Sequence, residues 1–358
     1  MNNPIIATNV ALPVYRSVCY FVLDFTNTID MRIVTLEEHI SFPEMAAKIP
    51  KDALGGFGQS ERMQQLTVKL GDITGDRLTS MDANGISIQV LSVDSSGANL
   101  LSAEKGPAFA SMYNDLIAEK IADMPTRFTA FAHLPMTAPQ AAADELERAV
   151  KQYNFRGAMI RGLTEDKFLD QPEFAPVFEM AEKFNVPIYL HPGLPPKGIA
   201  DIYYSGLPTH SGMAEPLACY GWGWHSETAL HVLRLLYSGI FDKYPNLNLI
   251  IGHMGEMLPM MMARSERAFK PGNGGANQRS LTDTFHQQVH ITTSGFFTQP
   301  PLQIALDTFG IDNIMFSVDY PFSTNEMGIE FLNGIDLPEE QLRKITHGNA
   351  DKLLNLQI

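Results

Sequence analysis

Short apolar runs alternate along the chain with segments in which apolar residues recur every three to four positions. The runs are rich in β-branched and aliphatic residues, and such near-continuous hydrophobicity is typical of parallel strands that are covered on both faces. The intervening segments, such as AAADELERAVKQY and PEFAPVFEMAEKF, have the period of amphipathic helices. The alternation therefore predicts an α/β fold built on a parallel sheet.

The predicted strands number eight and all lie between residues 31 and 358. They are RIVTLEEH from Arg32, SIQVLSV from Ser87, FTAFAHLP from Phe128, GAMIRG from Gly157, PIYLHPG from Pro187, NLIIGHMG from Asn248, VHITTSG from Val289 and NIMFSVDYP from Asn313. Eight parallel strands with alternating helices predict a single closed (β/α)8 barrel of the TIM type. Because no composition shift or flexible linker divides residues 31–358, we interpret them as one domain.

Two connections exceed the usual few residues. Ser41–Ser80 follows the first strand, and Leu194–Ser226, rich in Gly, Pro, Tyr and Trp, follows the fifth. Long loops in compact domains are commonly lids or binding loops. We therefore expect both loops to contribute to a site.

Residues 1–30 precede the first strongly patterned segment, which opens at Met31. They have no basic region before an apolar stretch, and Pro13, Arg16 and Asp24 interrupt the apolar run, which disfavours a signal peptide or a membrane span. We interpret residues 1–30 as an N-terminal extension that is either an accessory element or the result of a misassigned start.

Composition excludes several functional classes. Of 358 residues, 45% are hydrophobic and 18% charged, as in an ordinary globular protein, and the net charge of −14 argues against binding to nucleic acid or an anionic membrane. The two cysteines, Cys19 and Cys219, are too few for a disulfide framework or a thiolate zinc site, and we expect both to be buried or inert. These features predict a cytoplasmic protein.

Candidate metal ligands lie where the predicted strands end. Glu37 and His39 close the first strand, and His191, His253 and Asp319 close the fifth, sixth and eighth. The carboxyl ends of barrel strands meet at one mouth, and residues two apart on a strand face the same way. Carboxylates combined with imidazoles suit a divalent ion, with zinc and manganese the first candidates and magnesium the third. No motif calls for an organic cofactor.

Several motifs together resemble the amidohydrolase superfamily, in particular its branch of aminocarboxymuconate-semialdehyde and hydroxybenzoate decarboxylases. They are LEEH, YLHP, IIGHMGEMLPMMMAR, FSVDYPF and ITHGNADKLLNL, and the resemblance covers residues 31–358. It implies that the metal ligands are Glu37, His39, His191 and Asp319. It also implies roles around the substrate for His253, Glu256 and Arg264.

The spacing of His253 and Glu256 predicts the first turn of a helix that leaves the sixth strand, where the carboxylate would fix the imidazole tautomer. Arg264, two turns later, would offer a planar fork to a substrate carboxylate or would be a surface charge. Arg161 would meet an anionic substrate, pair with an acidic ligand or form a structural salt bridge.

Other polar and aromatic residues have simpler interpretations. Trp222, Trp224 and His225 would cover a planar ring, or form a packed corner or an oligomer contact. Glu38 alternates away from Glu37, so we expect a polar contact with the barrel wall. Structural roles are expected for the remaining histidines, which are His133, His210, His231, His286, His290 and His347.

The resemblance implies a metal-dependent decarboxylase that acts on a small hydroxylated aromatic acid, reversibly with CO2 or bicarbonate. Asp319 would protonate the ring carbon, His253 held by Glu256 would relay or stabilise charge, and Arg264, Arg161 and Trp222 would contact the substrate. The alternative is a hydrolase of a lactone, ester or amide, in which Asp319 takes a proton from a metal-bound water. We expect a homo-oligomer, a dimer or a tetramer.

Overall fold

The computed structural model describes residues 31–50, 61–207 and 211–356, so the predicted extension at residues 1–30, with Cys19, and His210 lie outside it. The strands are β1 Val34–Ile40, β2 Ile88–Val93, β3 Phe128–Ala130, β4 Ala132–His133, β5 Ala158–Arg161, β6 Ile188–His191, β7 Leu249–Ile251, β8 Val289–Thr292 and β9 Ile314–Met315. The helices up to β7 are α1 Pro43–Ala46, α2 Glu61–Gly71, α3 Asp76–Ala83, α4 Gly106–Ile121, α5 Pro139–Tyr153, α6 Ala175–Phe184, α7 Lys197–Tyr203, α8 Ala214–Ala218, α9 Gly223–Tyr237 and α10 Ile240–Lys243. Those after β7 are α11 Leu258–Ala268, α12 Leu281–Gln288, α13 Gln299–Phe309, α14 Asn325–Asn333, α15 Glu339–Arg343 and α16 Asn349–Leu354.

All strands pair in parallel, in the orders β1-β2-β3 and β4-β5-β6-β7-β8-β9. Only Phe131 separates β3 from β4. Its N–H donates to the Leu91 carbonyl (2.9 Å), and the next N–H, of Ala132, donates to Gly157 (2.8 Å). Counting β3 and β4 as one interrupted strand gives the eight predicted strands.

Hydrogen bonds connect the first strand to the segment that follows the last. The hydroxyl of Ser317 accepts from the N–H groups of Leu36 (2.9 Å) and Glu37 (2.6 Å). The N–H of His39 donates to the carbonyl of Tyr320 (2.8 Å). These bonds close the ring of strands, as the predicted barrel requires.

Buried apolar side chains form two main layers. A larger cluster lies between the strands and the helices. A smaller one fills the barrel interior and consists of Val34, Leu36, Val90, Phe131, Met159, Tyr189, Ile250, Met315, Ala350 and Leu354. The interior is therefore a packed core, and polar chemistry is confined to the ends of the strands.

The two long connections differ from the predicted loops. The described part of the first contains α1, α2 and the start of α3, and that of the second contains α7, α8 and the start of α9. Cys219, in the second connection, is buried as expected. None of the described helices has the length and apolar character needed to cross a membrane.

Candidate metal centre

A shift of strand register directs the side chains of β1. The pairing with β2 shifts between Thr35 and Glu38, so β1 holds an extra residue at this point. Leu36 packs into the barrel interior, and Glu37, the next residue, nevertheless lies on the same side with His39. A bulge re-aims side chains in this way. Glu37 and His39 face the same way, as predicted. Because of the bulge, they do so although Leu36, the residue before Glu37, also faces the barrel interior.

Glu38 lies on the opposite side. Its carboxylate accepts hydrogen bonds from the N–H groups of Val318 (3.0 Å) and Tyr320 (3.1 Å) and from the hydroxyl of Ser317 (2.9 Å). Burial raises the pKa of Glu38 to about 7, although these donors oppose the shift. Glu38 thus fastens β1 to the segment that carries Asp319, which is the wall contact expected for it.

The four groups implied as ligands converge at the barrel mouth. One ligand atom from each of Glu37, His39, His191 and Asp319 lies within 4.8 Å of every other. Oε1 of Glu37 is 3.0 Å from Nε2 of His191, and Oδ1 of Asp319 is 3.2 Å from Nε2 of His39. The two strands, β1 and β6, and the segment after β9 that carry these residues are far apart in sequence, and the barrel brings their ends together.

The atoms that face this point fit a metal ion. Oε1 of Glu37 and Nε2 of His39 are buried, and neither has a hydrogen-bond partner among the described residues. An unsatisfied buried carboxylate oxygen or imidazole nitrogen is costly, and coordination to a cation removes that cost. Two carboxylates and two imidazoles are also the donor types that zinc and manganese accept.

The neighbour of Nδ1 fixes the tautomer of His191. Nδ1 of His191 lies 2.8 Å from the carbonyl of Pro192, which can only accept, so we assign the hydrogen to Nδ1 and the lone pair of Nε2 is directed at the ligand cluster. Nδ1 of His39 lies 3.1 Å from the hydroxyl of Ser92, which can donate or accept.

Arg161 lies behind these rings, with its guanidinium nitrogens 3.0 Å from Nδ1 of His191 and 3.1 Å from Nδ1 of His39. Burial and, secondarily, the charge of Arg161 lower the pKa of His191 to about 4 and that of His39 well below its usual range. Arg161 also donates to the Val93 carbonyl (3.1 Å) and lies 3.5 Å from Asp94. The structure therefore contains the salt bridge considered for Arg161, and a direct contact with substrate stays a prediction.

Glu37 is held on its other oxygen. The hydroxyl of Tyr189 donates to Oε2 and is itself 2.8 Å from the hydroxyl of Thr292. Burial alone would raise the pKa of Glu37, but the charge of His253 and the contacts with His191 outweigh it and hold this pKa well below its usual range. Sequence reasoning missed Tyr189, although its position two residues before His191 in YLH signals the same inward face.

The pKa of Asp319 is shifted in the opposite direction from that of Glu37. Burial, followed by the charge of Glu37, raises the pKa of Asp319 well above its usual range, while His253 and Arg161 oppose the shift. Two carboxylates in one buried site cannot both ionise easily. Among the protein's own groups, Glu37 is therefore the carboxylate and Asp319 the one that favours a proton.

His253 and Glu256 do interact, but through a different backbone from the one predicted. Nδ1 of His253 is 2.6 Å from Oε1 of Glu256. No α-helix begins at His253. The backbone forms a short 3-10 turn over His253–Gly255, and α11 starts only at Leu258. The φ angles of His253, Met254, Glu256 and Met257 are positive, at 49°, 56°, 53° and 65°. The predicted first helical turn was wrong because this left-handed turn, unfavourable for residues other than glycine, replaces it.

His253 also approaches the ligand cluster, with Nε2 3.5 Å from Oε1 of Glu37. Burial would lower the pKa of His253, but the charges of Glu37 and Glu256 outweigh burial and raise it to about 10. His253 therefore presents an N–H to the site near neutral pH.

Two residues predicted to contact substrate lie away from the cluster. Arg264 is exposed on α11 and has no hydrogen bond or ion pair within the described part of the chain, and Trp222 is 53% exposed at the start of α9. Their substrate roles stay predictions.

Three other aromatic side chains lie at the site. The ring of Phe322 is 5.7 Å from His39, that of Phe296 is 6.1 Å from His253, and that of Trp224 is 6.3 Å from His191. Nε1 of Trp224 is buried and has no partner among the described residues. Sequence reasoning named Trp224 but missed Phe296 and Phe322, because nothing in their local pattern marks the mouth.

Comparison with known proteins agrees with this geometry. Residues 70–356 match the model of a family described as amidohydrolase. The chain belongs to the amidohydrolase family. A gamma-resorcylate decarboxylase from a Rhizobium species is 36% identical to it over 334 residues, which span 90% of this chain and 98% of that protein.

Solved structures of amidohydrolase relatives superpose closely. A 2,6-dihydroxybenzoate decarboxylase in complex with 2,6-dihydroxybenzoate has a TM-score of 0.82 and 36% identity and covers 91% of this chain and 100% of its own. A dihydroxybenzoic acid decarboxylase from a Polaromonas species, with bound manganese and the inhibitor 2-nitroresorcinol, has a TM-score of 0.82 and 34% identity and covers 91% and 97%. The predicted barrel fold and family branch are confirmed.

Proposed function

We propose that this amidohydrolase is a metal-dependent, non-oxidative decarboxylase of a hydroxybenzoate that carries a hydroxyl group beside its carboxyl group. The named activities of its relatives support the reaction class, a carboxy-lyase, and the substrate class. The observation that carries the proposal is the convergence of Glu37, His39, His191 and Asp319 in one cluster at the barrel mouth, where the pKa shifts favour a proton on Asp319 over one on Glu37. A decarboxylase of this kind needs a proton donor beside its metal site.

The metal ligands proposed are Glu37, His39, His191 and Asp319, and manganese is the first candidate ion because a relative binds it. A divalent ion held by these residues would supply a Lewis acid that stabilises negative charge on the substrate. Arg161 and burial keep His39 and His191 neutral, which is the form that can ligate.

Asp319 carries out the proton transfer. Its protonated carboxyl donates to the ring carbon that bears the carboxylate, and that carbon becomes tetrahedral as the ring loses its aromaticity. The bond between this carbon and the carboxylate then breaks, its electron pair returns to the ring, and CO2 leaves. A proton from solvent restores Asp319, so the sum is substrate carboxylate plus one proton giving a phenol and CO2.

His253 provides a hydrogen-bond donor on the other side of the cluster. It holds hydrogens on both nitrogens, one directed to Glu256 and the other toward the site. A fixed donor of this kind stabilises negative charge on a phenolic oxygen as it develops. Glu256 keeps the imidazole in the required orientation.

The substrate class follows from the aromatic side chains as well. Phe296, Phe322 and Trp224 surround the ligand cluster and offer flat apolar faces to a planar ring. The unpartnered indole N–H of Trp224 would donate to an oxygen substituent of that ring. This supports a hydroxylated aromatic acid over an aliphatic one.

We also propose that residues 31–358 act as a homo-oligomer. Large apolar side chains are exposed on α7 and α11, with Ile202 75%, Tyr203 68% and Met260 71% exposed. Exposed apolar groups of this size favour burial against another protein surface, and a second copy is the proposed occupant. Light scattering after gel filtration distinguishes a monomer from a dimer or tetramer.

A substrate screen tests the proposed function. The protein, purified and loaded with manganese, is assayed for CO2 release from a panel of hydroxybenzoates and for hydrolysis of a panel of lactones, esters and amides. We expect CO2 release from substrates with an ortho hydroxyl group. Hydrolysis without CO2 release would replace the proposal with the hydrolase alternative.

A further inference from the structure

His225 connects the segment after β6 to the cluster through Glu256. Its Nδ1 lies 2.6 Å from Oε2 of Glu256, and its Nε2 lies 3.0 Å from the carbonyl of Tyr220. The ring is buried and packs edge-on against His253, with 4.9 Å between the ring centroids. The expectation of a packed corner for His225 describes its burial but not its hydrogen bonds.

Both nitrogens of His225 face acceptors. The carbonyl oxygen of Tyr220 lies at Nε2, and Oε2 of the Glu256 carboxylate lies at Nδ1. A hydrogen on Nδ1 donates to Glu256, and such a contact with a buried carboxylate restricts the rotation of that carboxylate.

Glu256 depends on two imidazoles. Its carboxylate is fully buried, and its two oxygens are each engaged by one imidazole, Oε1 by His253 and Oε2 by His225. Its backbone has a φ of 53°, which is unfavourable for a residue with a side chain. A buried carboxylate in such a backbone needs both partners to keep one orientation.

We propose that His225 is a positioning residue: it holds the carboxylate of Glu256 and, through that carboxylate, the orientation of His253 toward Glu37 and the substrate. This inference rests on the proposed function for its kinetic consequence. The effect is on His253, because His225 makes no hydrogen bond to Glu37, His39, His191 or Asp319.

Two variants at position 225 give graded loss of the hydrogen bonds. His225→Phe keeps an aromatic ring but removes both nitrogens, and His225→Gln keeps an amide that can still donate to Glu256. Loss of a group that orients a functional histidine typically costs about 10- to 100-fold. We expect a decrease of this size in kcat for His225→Phe, a smaller one for His225→Gln, a KM within about 3-fold of the wild type and unchanged manganese content.

His231 provides the matched control. It lies on the same helix, is 1% exposed, and its Nε2 accepts a hydrogen bond from the N–H of Leu169 (2.8 Å). His231→Gln should lower the melting temperature and leave kcat unchanged. If His225→Gln and His231→Gln lower stability alike and neither changes kcat, His225 is only structural and the inference is wrong.

The coupling to Glu256 has its own test. In a Glu256→Gln background, His225→Phe should reduce kcat by less than about 2-fold, because the group through which it acts is already lost. The same loss in both backgrounds would overturn the inference. If His225→Phe does not fold, the cycle is made with His225→Gln.

The experiments distinguish a failure of the proposed function from a failure of the positioning role of His225. A wild type that releases no CO2 from any hydroxybenzoate refutes the decarboxylase. Crystal structures of the wild type and His225→Phe then decide the inference alone: Glu256 should stay within hydrogen-bond distance of His253 in the first and leave it in the second. An unmoved Glu256 in the variant would refute the positioning role.

Discussion

The backbone of Gly252, which follows β7, lies directly against the carboxylate of Glu37 on β1. A β-carbon at position 252 would be 2.4 Å from Oε2 of Glu37 and 3.0 Å from Oε1. Glu37 is fully buried and is bonded to Tyr189 on the side that this β-carbon would occupy. Gly252 is therefore required for the position of a proposed ligand, although it supplies none itself.

Gly252→Ala should displace the Glu37 carboxylate and weaken manganese binding by about 10- to 100-fold, the usual cost of disturbing a group that orients a ligand. Titration with manganese, followed by metal analysis, measures this. Gly198→Ala on α7 is the control, because a β-carbon there meets no atom within 4 Å. Wild-type affinity in Gly252→Ala would show that Glu37 is not a ligand.

The four proposed ligands should each be needed. Glu37→Gln, His39→Ala, His191→Ala and Asp319→Asn remove one donor each from a mixed site, and we expect each to lower kcat/KM by at least about 100-fold, mostly with loss of bound metal. Asp319→Asn should lose activity even at saturating manganese, because an amide N–H is far too weak an acid to protonate the ring carbon.

Glu38→Gln is the matched contrast on the same strand. The amide oxygen can still accept from Val318 and Ser317, but the amide nitrogen would face the N–H of Tyr320. We therefore expect a lower melting temperature, with metal content and most of the activity retained. An inactive, metal-free Glu38→Gln beside an active Glu37→Gln would mean that the two residues exchange roles.

Much of this architecture is predictable from hydrophobic periodicity. Each apolar run from Arg32 to Asn313 forms a strand, since parallel strands covered on both faces leave a strong pattern. The convergence of Glu37, His191 and Asp319 follows in turn, because the barrel places all strand ends at one mouth. The family's motifs then select the ligands among the groups at that mouth.

Other features leave no local pattern. The bulge in β1 and the left-handed turn at His253 are departures from regular strand and helix geometry, so alternation and helical spacing do not reveal them. The contact between His225, on α9, and Glu256, in the irregular turn before α11, joins residues 31 positions apart. Only folding brings such pairs together.

His231 should make stability depend on pH. Burial, with a smaller effect of Arg234, lowers the pKa of His231 to about 3 in the folded protein, whereas an unfolded histidine has a pKa near 6.5. Between these pH values His231 is protonated in the unfolded chain and neutral in the folded chain. Its contribution to the free energy of unfolding is therefore fully present above about pH 6.5 and decreases as the pH falls, by about 2 kcal/mol at pH 5.

Urea unfolding of the wild type and His231→Gln at pH 7 and pH 5 measures this contribution. The difference in unfolding free energy between the two proteins should shrink by about 2 kcal/mol at the lower pH. Metal loss in acid affects both proteins alike and cancels in that difference. A difference that is equal at both pH values would mean that His231 can be protonated in the folded state.

The fate of solvent hydrogen separates decarboxylation from hydrolysis. If Asp319 protonates the ring carbon, reaction in D2O must leave one deuterium at the carbon that lost CO2, because Asp319 exchanges its proton with solvent before each turnover. The same site must catalyse the reverse step, so excess bicarbonate should drive slow carboxylation of the product phenol.

Hydrolysis instead adds water oxygen to an acyl carbon and leaves ring hydrogens untouched. Mass spectrometry of products formed in D2O and in H2¹⁸O reads both labels: ¹⁸O in a new carboxylate, with no deuterium on carbon and no CO2, would assign hydrolysis to this site.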